Sequence, residues 1–333
     1  MSIRAEIDAV FERFGAMNIL VVGDIMLDSY IWGKVDRISP EAPVPVVLVE
    51  RREDRLGGAA NVALNLKALG AQVHILAGIG NDSHGIILKE LLQREAMNCE
   101  GLMHTRSKTT VKTRIIGNAH HLLRLDEEVT ELPDSDSETQ IIQAFHQKLA
   151  MHNFDAVIFE DYDKGFLSES SIKSMVKACN EAKVPTAVDP KKRNFRHYLN
   201  VTLFKPNLKE IKEGLNISVS GTNNPSLEQA DRELRKLLNH ENTLLTLSEN
   251  GVFYSSNGNS GKLEAHLRQI VDVSGAGDTV IGVATLCMAA GLPMEQTAQW
   301  SNIAGGLACE QVGVVPVNRE QLREEIVRLS DKS

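Results

Sequence analysis

Short apolar runs rich in β-branched residues alternate along this chain with amphipathic stretches of helical period, and no other feature narrows the fold as far. The runs fall at residues 18–22, 73–77, 156–159, 185–188, 201–204 and 243–247, with stretches such as 170–183 between them. Runs so short and so uniformly apolar have to be buried on both faces, and a crossover helix is what returns the chain to begin a parallel neighbour. The expected fold class is α/β, a predominantly parallel sheet with helices on both faces. The interior of the 333 residues carries no Pro/Gly/Ser linker or charge block, so a single domain over 1–333 is expected.

Composition excludes several functions. Apolar residues make up 42% and charged residues 24%, ample for a core and unlike a disordered chain. Lys and Arg number 36 against 44 Asp and Glu, a net charge of −8, so nucleic acid is not an expected partner. No apolar run reaches the ~18 residues of a membrane span, and residues 1–14 read as an amphipathic helix without a cleavable signal, so a cytoplasmic protein with no membrane partner is expected. The four cysteines, Cys99, Cys179, Cys287 and Cys309, form no CxxC pair and read as buried small apolar residues.

The apolar runs lead into polar residues at their carboxyl ends: Asp24, Asp161, Asp189, Asn207 and Ser248. One such residue is commonly a turn or a cap, but five on one sheet edge predict a polar crevice where open α/β sheets bind their ligands. Residues 31–50 and 109–126 break the rhythm and read as hairpin chain added to the main sheet as a flap. Pro40, Pro43 and Pro45 suit an edge strand, while the VVLVE run needs an apolar cover from the main domain or a second subunit.

The sharpest local signal is VDVSGAGDTV, residues 271–280, leading into a helix of small residues. Gly275 and Gly277 let backbone N–H groups turn inward, and the free N–H groups of the helix start carry partial positive charge, together making an anion site. Asp278 then faces the anion, unless it merely caps the helix. The positive helix end is expected to lower its pKa. The second Gly-rich turn, Leu56-Gly57-Gly58-Ala-Ala-Asn61, matches neither a dinucleotide fingerprint nor a Walker A loop, and close helix packing is an equal alternative. His120 and His121 point to opposite faces of a strand and read as flap surface, and residues 134–138 as a solvated helix start.

These two loops with Asn207-Leu-Lys-Glu210 resemble three motifs of the ribokinase-like (pfkB) carbohydrate kinases, and the resemblance covers nearly the whole chain. It implies a ribokinase-like fold with a β lid and transfer of the ATP γ-phosphoryl group to a sugar hydroxyl. Asp278 would be the base, and the N–H groups of Gly275, Ala276 and Gly277 the anion hole. Gly57, Gly58 and Asn61 would hold the sugar, with Asp24 and Asp28 accepting from its hydroxyls. Asn207 and Glu210 would organise Mg2+, Glu210 through water, and the ATP phosphates. Thr246, Ser248 and Gly251 are similar to the family's segment beside the nucleotide, with Ser248 in place of the usual Gly; Asn302 would line the adenine pocket and a monovalent cation would sit near Asp272.

The segments GDIMLDSYIWGKVDRISPEAPVPVV, HHLLRLDEE, EDYDKG and VDPKK resemble the branch that phosphorylates the anomeric hydroxyl of D-glycero-β-D-manno-heptose 7-phosphate in ADP-heptose formation for lipopolysaccharide. No HxGH motif of a nucleotidyltransferase domain occurs, so only the kinase step is expected. Lys164 and Lys191 are the expected partners of the acceptor's own phosphate, with Lys112, Arg114 and Arg124 within reach on the flap. Relatives of this kind commonly pair their flaps, so a homodimer is expected. The alternatives are another sugar or sugar-phosphate kinase, such as a fructokinase, and a non-catalytic sugar sensor on the same fold.

Overall fold

The computed structural model describes residues 2–331 apart from 106, 119 and 267; Met1 of the expected first helix and Ala119 of the flap lie outside them. In chain order the strands are β1 (Asn18–Gly23), β2 (Ile25–Ile38), β3 (Pro45–Gly58), β4 (Gln72–Gly80), β5 (Leu102–Thr105), β6 (Val111–Gly117) and β7 (His120–Glu127), then β8 (Ala156–Glu160), β9 (Thr186–Asp189), β10 (Leu203–Phe204), β11 (Asn242–Thr246), β12 (Val252–Ser256) and β13 (Asn259–Leu263). Nine of them form one sheet in the order β13-β12-β11-β10-β9-β8-β1-β4-β5. Pairing is parallel from β5 to β11, and β12 and β13 add an antiparallel edge.

The two faces of that sheet bury different cores, which is why its strands read as unbroken apolar runs. Ile19 and Val21 of β1 point to one, with Phe11, Leu66, Ile281 and Ile303 from covering helices, while Leu20 and Val22 point to the other, with Phe145, Ile172, Ile211 and Leu234. The helix Ile3–Ala16, capped by Ser2, matches the expected N-terminal helix, and Glu169–Ala182 the expected amphipathic stretch. No helix among the described residues is long and apolar enough to cross a membrane. Cys179 and Cys287 are buried as expected; Cys99 and Cys309 are only half-buried, a correction that follows from their places in a loop and just past a helix end, and all four are free thiols.

The flap is larger than its sequence signal. β2 leaves β1 after a single residue, Asp24, and pairs antiparallel with β3 and parallel with β6, which pairs with β7. The four-stranded order β3-β2-β6-β7 leaves β3 at an edge, where the three prolines can be tolerated in and beside the β2–β3 connection. All of β7 is exposed, His120 and His121 included.

Candidate active site

The Gly-Ala-Gly turn and the Leu56–Asn61 turn meet because two helices of small residues, Ala59–Ala68 and Ala276–Ala289, pack against each other. Gly275 is the N-cap of the second helix at φ +77°, a conformation glycine adopts without strain, and no side chain caps it. The first-turn N–H groups therefore lack intrahelical acceptors. Asp278 does not serve as the cap. Its Oδ2 accepts from Asn61 Nδ2 at 2.7 Å and its Oδ1 from the Tyr162 hydroxyl at 2.7 Å. Asn65 braces the pair of helices, donating to the Asn61 carbonyl at 3.0 Å and accepting from Thr279 Oγ1 at 3.1 Å.

Burial raises the Asp278 carboxyl to about 6, with Asp189 adding to the shift while Asn61, Tyr162 and Lys205 oppose it. The expectation of a lowered pKa is corrected: at 4% exposure, loss of hydration outweighs the helix end. Beside it stand Glu160, Asp189 and Lys205, the last two joined at 2.7 Å. Glu160 is fully buried, neither carboxylate oxygen finds a hydrogen-bond partner among the described residues, and burial with Asp189 and Asp278 pushes its pKa well above normal.

Asn207 and Glu210 form a reciprocal capping box on the helix Leu208–Leu215, with bonds of 2.9 and 2.8 Å. Glu210 Oε1 also accepts from Lys191 Nζ at 2.6 Å, and Asp189 lies 4.0 Å from the same ammonium. Burial alone would lower the Lys191 pKa, yet Asp189 and Glu210 hold it above its usual value. Lys191, expected at the acceptor's phosphate, is thus engaged by two carboxylates. Lys164 pairs with Glu128 at 2.9 Å and lines a cavity with Gly80, Lys108, Thr109 and Thr110.

The two carboxylates expected at the sugar have partners within the protein. Asp24 accepts three backbone N–H groups, from Tyr162 at 2.9 Å, Lys164 at 3.0 Å and Phe166 at 3.1 Å, so it clamps the β8 loop rather than presenting free oxygens. Asp28 pairs with Arg114, while its other oxygen faces Gly57, where a Cβ would collide. Thr246 bridges to Asn207, and Ser248 sits at φ +54°, the region its usual glycine favours. Gly251 follows at φ +81°, and Asn302 Nδ2 donates to the Glu264 carbonyl at 2.9 Å. Asp272 accepts from Ser274 and Gly313 N–H groups, both at 2.9 Å.

Sequence reasoning missed Tyr162, Glu160, Lys205 and Arg55. Glu160 was legible, since it ends an apolar run directly before the noted Asp161; Tyr162 was not, because it sits in a loop with no period.

A family model described as "pfkB family carbohydrate kinase" matches residues 16–321. The "D-beta-D-heptose 7-phosphate kinase" of Bordetella bronchiseptica is 39% identical over 314 residues, 94% of this chain and 97% of that protein. The "Bifunctional protein HldE" of Syntrophotalea carbinolica is 36% identical over 323 residues, 96% of this chain, which spans 65% of that protein's length. Escherichia coli phosphofructokinase-2 in complex with potassium superposes with a TM-score of 0.78 at 18% identity, over 94% of this chain and 99% of that one. Arabidopsis thaliana ribokinase complexed with ribose and ATP gives 0.69 at 17%, over 94% and 98%. These two share the fold, the ribokinase-like α/β arrangement with its helix-covered parallel sheet. The chain belongs to the pfkB family of carbohydrate kinases.

Proposed function

We propose that this chain is a single kinase domain that moves the ATP γ-phosphoryl group onto the anomeric hydroxyl of D-glycero-β-D-manno-heptose 7-phosphate. The observation that carries the reading is Asp278, a buried carboxylate whose pKa near 6 suits a base, set in the first turn of a helix whose start is an uncapped Gly-Ala-Gly anion turn. Gly275, Ala276 and Gly277 donate backbone N–H groups to the transferring phosphoryl oxygens. Asn61, Gly57, Gly58 and Asp28 border the sugar, Lys164 meets the distal phosphate in its cavity, and Thr246, Ser248, Gly251 and Asn302 flank the nucleotide. The choice of heptose 7-phosphate is supported by the Bordetella relative's name and by its near full-length match.

The family implies ATP and Mg2+. No group of three metal-ligating side chains occurs among the described residues, which fits an ion held largely by phosphates and water, as Mg2+ usually is. Glu210 and Asp189, both buried and beside Lys191, would hold that water shell; when bound, the ion neutralises charge on the leaving phosphates. A monovalent cation near Asp272 fits less well. Arg55 Nη1 donates to the Val312 carbonyl at 2.8 Å and the Val314 carbonyl at 3.4 Å, so the turn beside Asp272 already faces a guanidinium.

On the same reading the protein is a cytoplasmic homodimer joined through its flaps, on the exposed Ile38, Leu48, Leu123 and Leu125. The test is ADP release with ATP and Mg2+ against heptose 7-phosphate, unphosphorylated heptose, fructose 6-phosphate and ribose. Preference for fructose 6-phosphate or ribose would overturn the substrate, and no transfer to any of them the reading itself.

A further inference from the structure

An alcohol acceptor has to give its proton to Asp278, and a phenol of the protein already holds that position. Tyr162 donates to Oδ1 at 2.7 Å and Asn61 to Oδ2 at 2.7 Å. Around the rest of the carboxylate lie Asp189, which repels it, Lys205, which attracts it, and the buried Glu160, whose own pKa it helps to raise. Asn61 is fully buried and tied to Asn65, so it cannot yield. Tyr162 is half-buried in the loop after β8, and its ring lies 5.0 Å from the Lys112 ammonium and 5.0 Å from the Lys191 ammonium. Burial keeps the phenol protonated, so it remains a donor.

We propose that the Tyr162 hydroxyl is a placeholder for the acceptor hydroxyl: it occupies Asp278 Oδ1 until a sugar hydroxyl displaces it, and keeps water from that oxygen while ATP is bound. The reaction it suppresses is hydrolysis, in which a water oxygen bonds to the γ-phosphorus, the bond to the ADP oxygen breaks, and the water's proton passes to Asp278. A phenol there excludes the water, and its own oxygen is held toward the carboxylate. The inference rests on the kinase reading above.

Tyr162→Phe tests it, because the ring stays between the two lysines and only the hydroxyl is lost. ADP release from ATP and Mg2+ without sugar should rise about two- to tenfold, the range of one hydrogen bond, and the KM for heptose 7-phosphate should fall. ADP release held at the wild-type level, or a raised KM, overturns the placeholder. A wild-type protein that transfers to no sugar would sink the kinase reading and the placeholder with it, whereas wild-type transfer with sugar-free ADP release unchanged by Tyr162→Phe would overturn the placeholder alone.

Discussion

Asn61 Nδ2 and Asp278 Oδ2 meet at 2.7 Å across 217 residues of sequence. The contact ties the Leu56–Asn61 turn, proposed to border the sugar, to the carboxylate proposed to take its proton, so on that reading alignment of acceptor and base would follow from the packing of two helices. A buried base of this kind works only when ionised.

With Asp278 raised to about 6, the rate should fall as pH drops through that value, because protonation below it removes the acceptor of the proton. Asp278→Asn should lower kcat by ~10²–10⁴-fold with ATP affinity kept. A kcat/KM profile flat down to about pH 5, or a variant within a few-fold of wild type, would show that Asp278 is not the base.

Glu210→Gln keeps an oxygen for the Asn207 N–H but loses the charge that holds Lys191. The Mg2+ concentration for half-maximal rate should rise, and the sugar KM should hardly move. Unchanged Mg2+ dependence would remove Glu210 from the metal's surroundings and leave it as a helix cap.

The two lysines expected on one phosphate should now behave differently. Lys164→Ala should weaken heptose 7-phosphate by ~1.5–3 kcal/mol, the worth of a charge-assisted contact, and affect an unphosphorylated acceptor far less. Lys191→Ala should instead disturb ATP and Mg2+, since its partners are Glu210 and Asp189. Equal losses on both acceptors for Lys164→Ala would exclude a phosphate role.

Much of this was legible in the chain. The strand runs at 18–22, 73–77 and 156–159 fall inside β1, β4 and β8 because burial on both faces leaves them continuously apolar. Asn61, Glu210 and Asp278 stand out in the sequence because motif spacing is local. The partners were not, since pairs such as Tyr162 with Asp278 or Arg55 with Val312 join distant loops without periodicity. Asp24 shows a related limit: a strand-end carboxylate looks free in sequence, whereas three backbone donors from the β8 loop engage it. The strands β12 and β13, with partly exposed polar positions, gave no long apolar run to find.

Arg55 also bears on ion dependence. Its guanidinium faces the Val312 and Val314 carbonyls and stacks 5.0 Å from the Tyr30 ring, whose hydroxyl accepts from Val314 N–H at 3.2 Å. The wild-type protein should respond weakly to replacing Na+ by K+, and Arg55→Ala should respond more, because the carbonyls beside Asp272 are then released. Strong K+ activation of the wild type, unaltered by the substitution, would show that the guanidinium and the ion do not compete.

The flap carries an apolar surface that water alone does not suit. Leu48 is 67% exposed and Leu123 53%, on β3 and β7, the two edges of the flap sheet, and an exposed apolar edge invites pairing with another chain. A twofold contact between identical flaps closes the assembly and ends that growth. Val47 of the same VVLVE run is half-buried and packs toward Gly33, so Val49, at 43% exposure, and Leu48 are the informative positions. Leu48→Asp or Val49→Asp should shift the protein to monomer, read by light scattering, and should slow transfer as well, because on the proposed reading the flap would cover the sugar and would lose its support. A wild-type monomer at micromolar concentration, or dimers indifferent to both substitutions, would rule out this surface as the subunit contact.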